Sequence, residues 1–294
     1  MKPAPFKYAL AENIEEVAQI LEDGDGDAII IAGGQSLMPM LAMRMARPSI
    51  VIDINNIDEL SGIEADDDEV VIKACTRQTA AFESPIVREH LPLLTKALGF
   101  IGHLQTRNRG TIGGSLAHAD PASEIPLTAL AMDVEVELLS VNGTRRLSVS
   151  DLFLGPMMTS IEPNELLVSL RFPNFSGAGG IGTSFHEVSE RHGDFAIVAV
   201  AARVHLDDDG VCQRAAIAFA GVDACPVRIS ALEDQLVSQV IDQTHIQTIL
   251  QEHLNVLEPS SDQHASSDYR LRVAKVLAER AILEAVGDAK GGVS

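Results

Sequence analysis

The densest grouping of chemically useful residue types in this chain is Arg107-Asn108-Arg109-Gly110-Thr111-Ile112-Gly113-Gly114-Ser115. It holds two arginines, three glycines and two hydroxyls within nine residues. Glycine pairs let the backbone take positive φ and leave N–H groups uncovered by any Cβ. Successive uncovered N–H groups form a concave donor nest for phosphate oxygens. Thr111 and Ser115 add hydroxyl donors. The stretch reads as a pyrophosphate cradle; taken alone, a tight surface turn is the plainer reading.

A second stretch of the same kind changes that balance. Residues 28–32 form an apolar run rich in β-branched types, which predicts a buried strand. The run empties into Gly33-Gly34-Gln35-Ser36 and then Leu37-Met38-Pro39-Met40. Strand, glycine loop and short helix is a context in which backbone N–H groups meet a phosphate. The spacing is neither G-x-G-x-x-G nor G-x-x-x-x-G-K-[ST], so nicotinamide-type Rossmann and P-loop readings both fail. Met38, Met40, Met43 and Met45 predict core or interface packing rather than ligation.

No other catalytic constellation stands out. G-x-S-x-G, H-E-x-x-H and a spaced Cys–His pattern are all missing. His90, His103, His118, His192, His205, His245, His253 and His264 are dispersed and read as ordinary structural histidines; His118 lies nearest the cradle. Asp23-Gly24-Asp25-Gly26-Asp27 reads as a solvated turn, since the later ligands of a calcium loop are missing. Cys75, Cys212 and Cys225 form no C-x-x-C pair, so this chain cannot build its own four-cysteine cluster. Such scattered cysteines fit a reducing cytoplasm.

The elements that must position the two stretches follow from local pattern. Asn13 caps a helix carrying Ile14, Val17, Ala18 and Leu21 on one face. Residues 49–54 make a second buried strand. Asp66-Asp67-Asp68 turns a hairpin, and Ser84-Pro85 and Pro92 open helices that lead to Gly102. Asn142-Gly143 turns another hairpin, and residues 164–172 form a strand ended by Pro173. Asn174 to Gly182, rich in Gly and Ser, predicts a domain boundary. Beyond it, strands at 185–191, 195–206 and 211–222 predict a three-stranded antiparallel meander, sealed by helices from about Ser230, Thr244 and Asp268. Phe195 is the aromatic candidate for a flat cofactor, with core packing the plainer alternative. Residues 288–294 predict a frayed tail. The fold class is α+β, with an N-terminal domain over 1–175 (subdomains about 1–55 and 56–175) and a C-terminal domain over 181–287.

Taken together, Ala32-Gly33-Gly34-Gln35-Ser36, Thr111-Ile112-Gly113-Gly114-Ser115 and Ala119-Asp120-Pro121-Ala122-Ser123-Glu124-Ile125-Pro126 resemble the flavin-binding medium subunit of molybdenum hydroxylases. That family includes the carbon monoxide, nicotine, caffeine and xanthine dehydrogenases. The resemblance spans nearly the whole chain. It implies a two-subdomain FAD-binding domain of the vanillyl-alcohol-oxidase (PCMH) type, followed by a small sheet and a helical bundle. It also implies that Ile30, Ile31, Ala32, Gly33, Gly34, Gln35, Ser36 and Leu37, with Thr111, Ile112, Gly113, Gly114 and Ser115, hold the FAD pyrophosphate and nearby hydroxylated groups. Glu124 would contact the adenosine side, Ile101 would border the cofactor and Leu167 the flavin ring. His186 stands where xanthine dehydrogenase has a lysine, and a histidine is neutral much of the time at pH 7.

The function so implied is an FAD-dependent oxidoreductase subunit that relays electrons. A small iron–sulfur subunit with [2Fe-2S] clusters would supply them, a large molybdopterin subunit would oxidise the substrate, and an external acceptor would take the electrons away. The assembly implied is a dimer of heterotrimers. A self-sufficient FAD oxidoreductase of the same fold is the alternative, but it needs a substrate acid or base that the sequence does not display. The net charge of −20, from 42 acidic against 22 basic residues, argues against nucleic acid or an anionic membrane as partner. The longest apolar run, 195–202, is too short to span a bilayer.

Overall fold

The structure, a computed structural model, describes residues 2–174 and 179–291. The chain begins with β1 (Lys7–Leu10), α1 (Ile14–Asp23), β2 (Ala28–Ile31), α2 (Leu37–Ala42) and β3 (Ile50–Asp53). The Asn13 side chain caps the first helix by accepting from Glu16 N–H at 2.8 Å, and the Glu16 carboxylate accepts from Glu12 N–H, just before the cap, at 2.8 Å. Its buried Val17 and Leu21 pack with Ile52 and Ile54. The strands form a parallel sheet in the order β1-β3-β2. The second strand is half-buried throughout rather than fully buried as expected. It lies at the sheet edge, where only one side is paired.

The next segment runs β4 (Ile63–Ala65), β5 (Glu69–Lys73), α3 (Gln78–Glu83), α4 (Pro85–His90), α5 (Pro92–Leu98), α6 (Leu104–Arg109), α7 (Ile112–His118) and α8 (Glu124–Ala131). It continues with β6 (Glu135–Ser140), β7 (Gly143–Ser148), α9 (Val149–Leu152), β8 (Phe153–Gly155), β9 (Met158–Thr159) and β10 (Leu166–Pro173). A five-stranded antiparallel sheet, β4-β5-β10-β6-β7, backs these helices. One apolar cluster joins the sheet, α5, α7 and α8, and includes Ile72, Leu94, Ile112, Leu127 and Leu170. The stretch expected as a glycine loop, 107–115, is the end of one helix and the start of the next.

The last segment holds β11 (Gly180–Val188), β12 (Val198–Leu206), β13 (Cys212–Ala220), β14 (Val227–Arg228), α10 (Ser230–Leu236), α11 (Gln243–His253) and α12 (Ser267–Ala289). The sheet is antiparallel with four strands, not three: Phe219 and Ala218 pair with the short added strand. Gly180 and Gly182 belong to a strand rather than a linker; residues 175–178 of the expected boundary lie outside the described residues. α12 reaches Ala289, so the expected tail at 288–294 begins later, and 292–294 lie outside the described residues. Phe195 precedes its strand and is 59% exposed, so core packing does not explain it. Met38, Met43 and Met45 are also exposed, which rules out a core role for them.

One face of this last sheet packs on α12, and the other on α5 and α8. Alternation along β11 sorts its side chains between the two faces. Gly182 and Ser184 face α12: Ser184 Oγ donates to Ala281 O at 2.7 Å, and a Cβ at Gly182 would overlap the Ala285 carbonyl. Phe185 faces the other way, its ring 5.1 Å from that of Phe100. Gly182→Val should therefore lower stability by about 3 kcal/mol. Gly287→Ala, where nothing lies within 4 Å of the added Cβ, should raise it by about 0.5 kcal/mol. Chemical denaturation measures both, and equal midpoints would refute this account of the sheet–helix contact.

Candidate functional site

The two glycine stretches touch. A Cβ on Gly33 would overlap the Arg109 carbonyl and lie 2.9 Å from Gly110 Cα, so only glycine permits this approach. Polar side chains lock the contact. Asn55 Nδ2 donates to Ala32 O at 2.8 Å, and Asn55 Oδ1 accepts from Arg77 Nη2 at 2.6 Å. Arg77 Nη1 donates to Arg109 O at 2.6 Å. One chain of hydrogen bonds thus runs from the first stretch to the second through two side chains. Asp53 anchors its start, accepting from Asn55 Nδ2 at 2.7 Å and from the Tyr8 hydroxyl at 2.7 Å. Burial pushes the Asp53 carboxyl up, but those bonds and the Arg109 charge outweigh it and hold the group below its usual range.

The two stretches differ in what they offer a ligand. Gly34 takes φ +72°, and the N–H groups of Gly34, Gln35 and Ser36 meet no carbonyl among the described residues. The Gln35 side chain folds back to Gly33 O at 3.1 Å. This loop is a donor nest. The second stretch is not. Thr111 caps α7, its Oγ1 accepting from Gly114 N–H at 3.1 Å. Ile112 N–H donates to Thr76 O at 3.0 Å, and Gly113 N–H to Ala74 O at 2.9 Å. Gly113 and Gly114 are helical, without the positive φ expected for them. Their lack of a Cβ serves packing: one at Gly113 would lie 2.6 Å from Ala74 Cβ, and one at Gly114 would lie 2.5 Å from Thr111 Oγ1. Ile112 is wholly buried beneath them. What this stretch presents outward is the exposed Gly114 and the hydroxyl of Ser115.

Arg107 has a structural task. It donates to the carbonyls of Ile101 at 2.6 Å and Gly102 at 3.1 Å, and stacks over the Phe82 ring at 5.7 Å. Ile101 and Leu167 both lie at the edge of the same apolar cluster, 7% and 6% exposed. Ile30 and Ile31 pair with Ile52 and Asp53, and Leu37 opens α2 half-buried. His118, in the last turn of α7, is half-buried. His186 departs from the expected set. Its position on β11 faces α12, where Nε2 lies 2.7 Å from Glu284 Oε2, on the opposite side of the strand from Phe185. The next residue, Glu187, faces inward instead.

Ser115 Oγ and Ser123 Oγ lie 3.1 Å apart, which ties α7 to the start of α8. Glu124 begins that helix, 4% exposed. Burial pushes its carboxyl up to about 7, assisted by the Asp120 charge and opposed by its own N–H. Glu187 is pushed up to about 8, first by burial and then by the Glu124 charge. Its Oε2 is buried with no hydrogen-bond partner among the described residues. Arg77, Asn55 and Glu187 are not marked by local pattern, because none sits in a glycine motif. Among the described residues no group of three His, Cys, Asp or Glu side chains could hold a metal, and no helix is long and apolar enough to cross a membrane.

Comparison with known proteins adds identity to this geometry. The model of the FAD binding domain in molybdopterin dehydrogenase matches residues 4–175, and that of the CO dehydrogenase flavoprotein C-terminal domain matches residues 183–285. The chain is 39% identical over 290 residues to the 6-hydroxypseudooxynicotine dehydrogenase complex subunit alpha of Paenarthrobacter nicotinovorans, covering 99% of this chain and 97% of that one. A solved carbon monoxide dehydrogenase of Hydrogenophaga pseudoflava, lacking the Mo-pyranopterin moiety of its molybdenum cofactor, superposes with TM-score 0.94 at 34% identity, covering 98% of this chain and 100% of the matched one. Quinoline 2-oxidoreductase of Pseudomonas putida 86 gives TM-score 0.92 at 36% identity over 100% of both chains.

The buried acids set a pH dependence for the ligand-free chain. Both carboxyls hold their protons more tightly folded than unfolded, so ionising them in place disfavours the fold. Stability is fullest below the ordinary carboxylate value of 4.5 and declines as pH rises toward about 7 for Glu124 and about 8 for Glu187. Glu124→Gln should flatten the fall in melting temperature between pH 5 and pH 8. A variant with the wild-type slope would contradict the burial assigned to this carboxyl.

Proposed function

The chain belongs to the FAD-binding medium subunits of the molybdenum hydroxylases, the family of the carbon monoxide and xanthine dehydrogenases, and from that premise we propose that it is the electron-relay subunit of its complex. It is an oxidoreductase subunit whose cofactor is FAD. In this reading it takes electrons from a partner [2Fe-2S] subunit and passes them to an external acceptor. Substrate oxidation stays on a partner molybdopterin subunit, and the assembly is a dimer of heterotrimers. The three free cysteines fit a cytoplasmic setting.

The observation that carries the reading is the donor nest at Gly34, Gln35 and Ser36, closed on one side by the second glycine stretch. The residues present fit FAD: free amides for a diphosphate, hydroxyls and buried carboxyls for sugar hydroxyls, and an apolar edge for a flat ring. Bound there, FAD supplies the redox chemistry. The chain supplies grip and orientation. The nest holds the diphosphate, and Ser115 offers a hydroxyl beside it. Arg77 and Asn55 keep the two stretches at a fixed spacing. Glu124 faces the adenosine side, while Ile101 and Leu167 keep water from the ring.

Ser36→Asp tests this without disturbing the fold. Aspartate is a favoured helix N-cap, and the Ser36 side chain makes no capping bond. The new charge would face the diphosphate. FAD affinity should fall about a hundredfold or more, while the flavin-free protein keeps its melting temperature. A variant that purifies fully yellow would place the diphosphate elsewhere. The relay itself predicts that iron and molybdenum co-purify with the flavin from the native source. A flavin-loaded chain that oxidises a substrate with neither metal would overturn it.

A further inference from the structure

One surface breaks the acidic character of the chain. Residues 1–11 and 28–52 contain Lys2, Lys7, Arg44 and Arg47 and no Asp or Glu, although the whole chain has 42 acids against 22 bases. The fold gathers these two segments. β1 and β2 flank β3 in the first sheet, and α2 leads into a hook that returns to the start of β3. Within the hook Arg44, at φ +60°, donates from Nε to Lys2 O at 3.2 Å, and Arg47 Nε donates to Arg44 O at 3.0 Å. Lys7 N–H donates to Ser49 O at 2.7 Å. All four bases are exposed, and none is in an ion pair among the described residues. Two acids border the surface. Asp27 holds the hook through its carbonyl, which accepts from Ser49 N–H at 3.1 Å, and Asp53 is engaged by Tyr8 and Asn55.

The same hook carries methionines. Met38, Met43 and Met45 are 50%, 51% and 70% exposed. Met43 N–H donates to Pro39 O and Met45 N–H to Met40 O, both at 2.9 Å, so the exposed side chains stand on an ordered turn. Methionine and arginine are enriched at protein interfaces, and methionine adapts to a partner's contour. Bases beside exposed apolar side chains fit a protein face that carries carboxylates around an apolar patch. An anionic bilayer is a poorer match, since the net charge of −20 would be repelled over the rest of the surface. The surface also adjoins the nest. Met38 N–H donates to Gly34 O at 3.0 Å, and a Cβ at Gly34 would lie 3.2 Å from Met38 Cγ. A subunit that feeds electrons to the cofactor has to dock beside it, whereas one that only transforms substrate does not.

We propose that Met38, Met43 and Met45, with the basic side chains of Lys2, Lys7, Arg44 and Arg47, form the docking face for an acidic surface of the iron–sulfur subunit. The proposal rests on the relay reading above and adds to it the place where that partner binds. The methionines supply the apolar contact, and the bases steer the acidic partner to it. Binding is therefore weakened by charge placed among the methionines, and its association rate falls with salt.

The test measures binding of the iron–sulfur subunit, released from the native complex, to the flavin-loaded chain by biolayer interferometry. Met43→Asp with Met45→Asp should raise Kd about a hundredfold, while FAD occupancy and melting temperature stay at wild-type values. Lys2→Glu with Lys7→Glu should slow association about tenfold at low salt, a difference that about 1 M salt erases. This second pair lies outside the hook and is decisive if the first unfolds the chain. If both pairs bind the iron–sulfur subunit as wild type does, the docking face is overturned while the relay stands. It is equally overturned if they lose the molybdopterin subunit and keep the iron–sulfur one, or if the wild-type chain binds phosphatidylserine vesicles and the variants do not while assembly is unchanged. A native complex that carries no iron overturns the relay, and this docking face falls with it.

Discussion

The hydrogen-bond chain Ala32–Asn55–Arg77–Arg109 is the constraint on which the candidate site depends. It joins the end of β2, in the first sheet, to the end of the helix α6 in the next segment. The guanidinium is suited to the task because its fixed fork of donors reaches two acceptors at once. Charge-assisted bonds of this kind are worth roughly 1.5–3 kcal/mol each. Without Arg77, Asn55 Oδ1 and Arg109 O would face each other with no donor between them. Gly33 then allows the backbones to close the remaining distance, since any Cβ would strike the Arg109 carbonyl.

That contact divides the work between the two glycine stretches. The loop at 33–36 keeps its amides free and curls at Gly34, so it can donate. The stretch at 111–115 spends its amides on Thr76, Ala74 and Thr111, so it acts as a wall. Its glycines bring α7 close to β5 and its own cap rather than to a ligand. The wall is rigid because Ile112 and Leu116 are wholly buried behind it.

The C-terminal sheet packs against the FAD-binding fold through α5 and α8. β11 presents glycine and serine to α12 and Phe185 and Glu187 to the FAD-binding fold. Strand alternation alone enforces this division. It also explains why His186, expected near the cofactor, pairs with Glu284 on the side of α12, while its neighbour Glu187 faces the other way.

Much of this protein was legible in its residues. The Asn13 cap, the Ser84-Pro85 helix start and the Asn142-Gly143 hairpin all formed as local capping and turn chemistry dictate. The paired glycine motifs marked the family, and the structure brings the two stretches into contact. Local pattern could not assign the duties of those glycines, because a glycine needed for close packing and one needed for a free amide look alike in sequence. Nor could it reveal Arg77 and Asn55, whose partners lie 32 and 23 residues away. Hydrophobic period and turn chemistry act over a few residues and are written in the chain itself. Which donor meets which acceptor across separate sheets depends on how those sheets pack, and only the tertiary structure contains that.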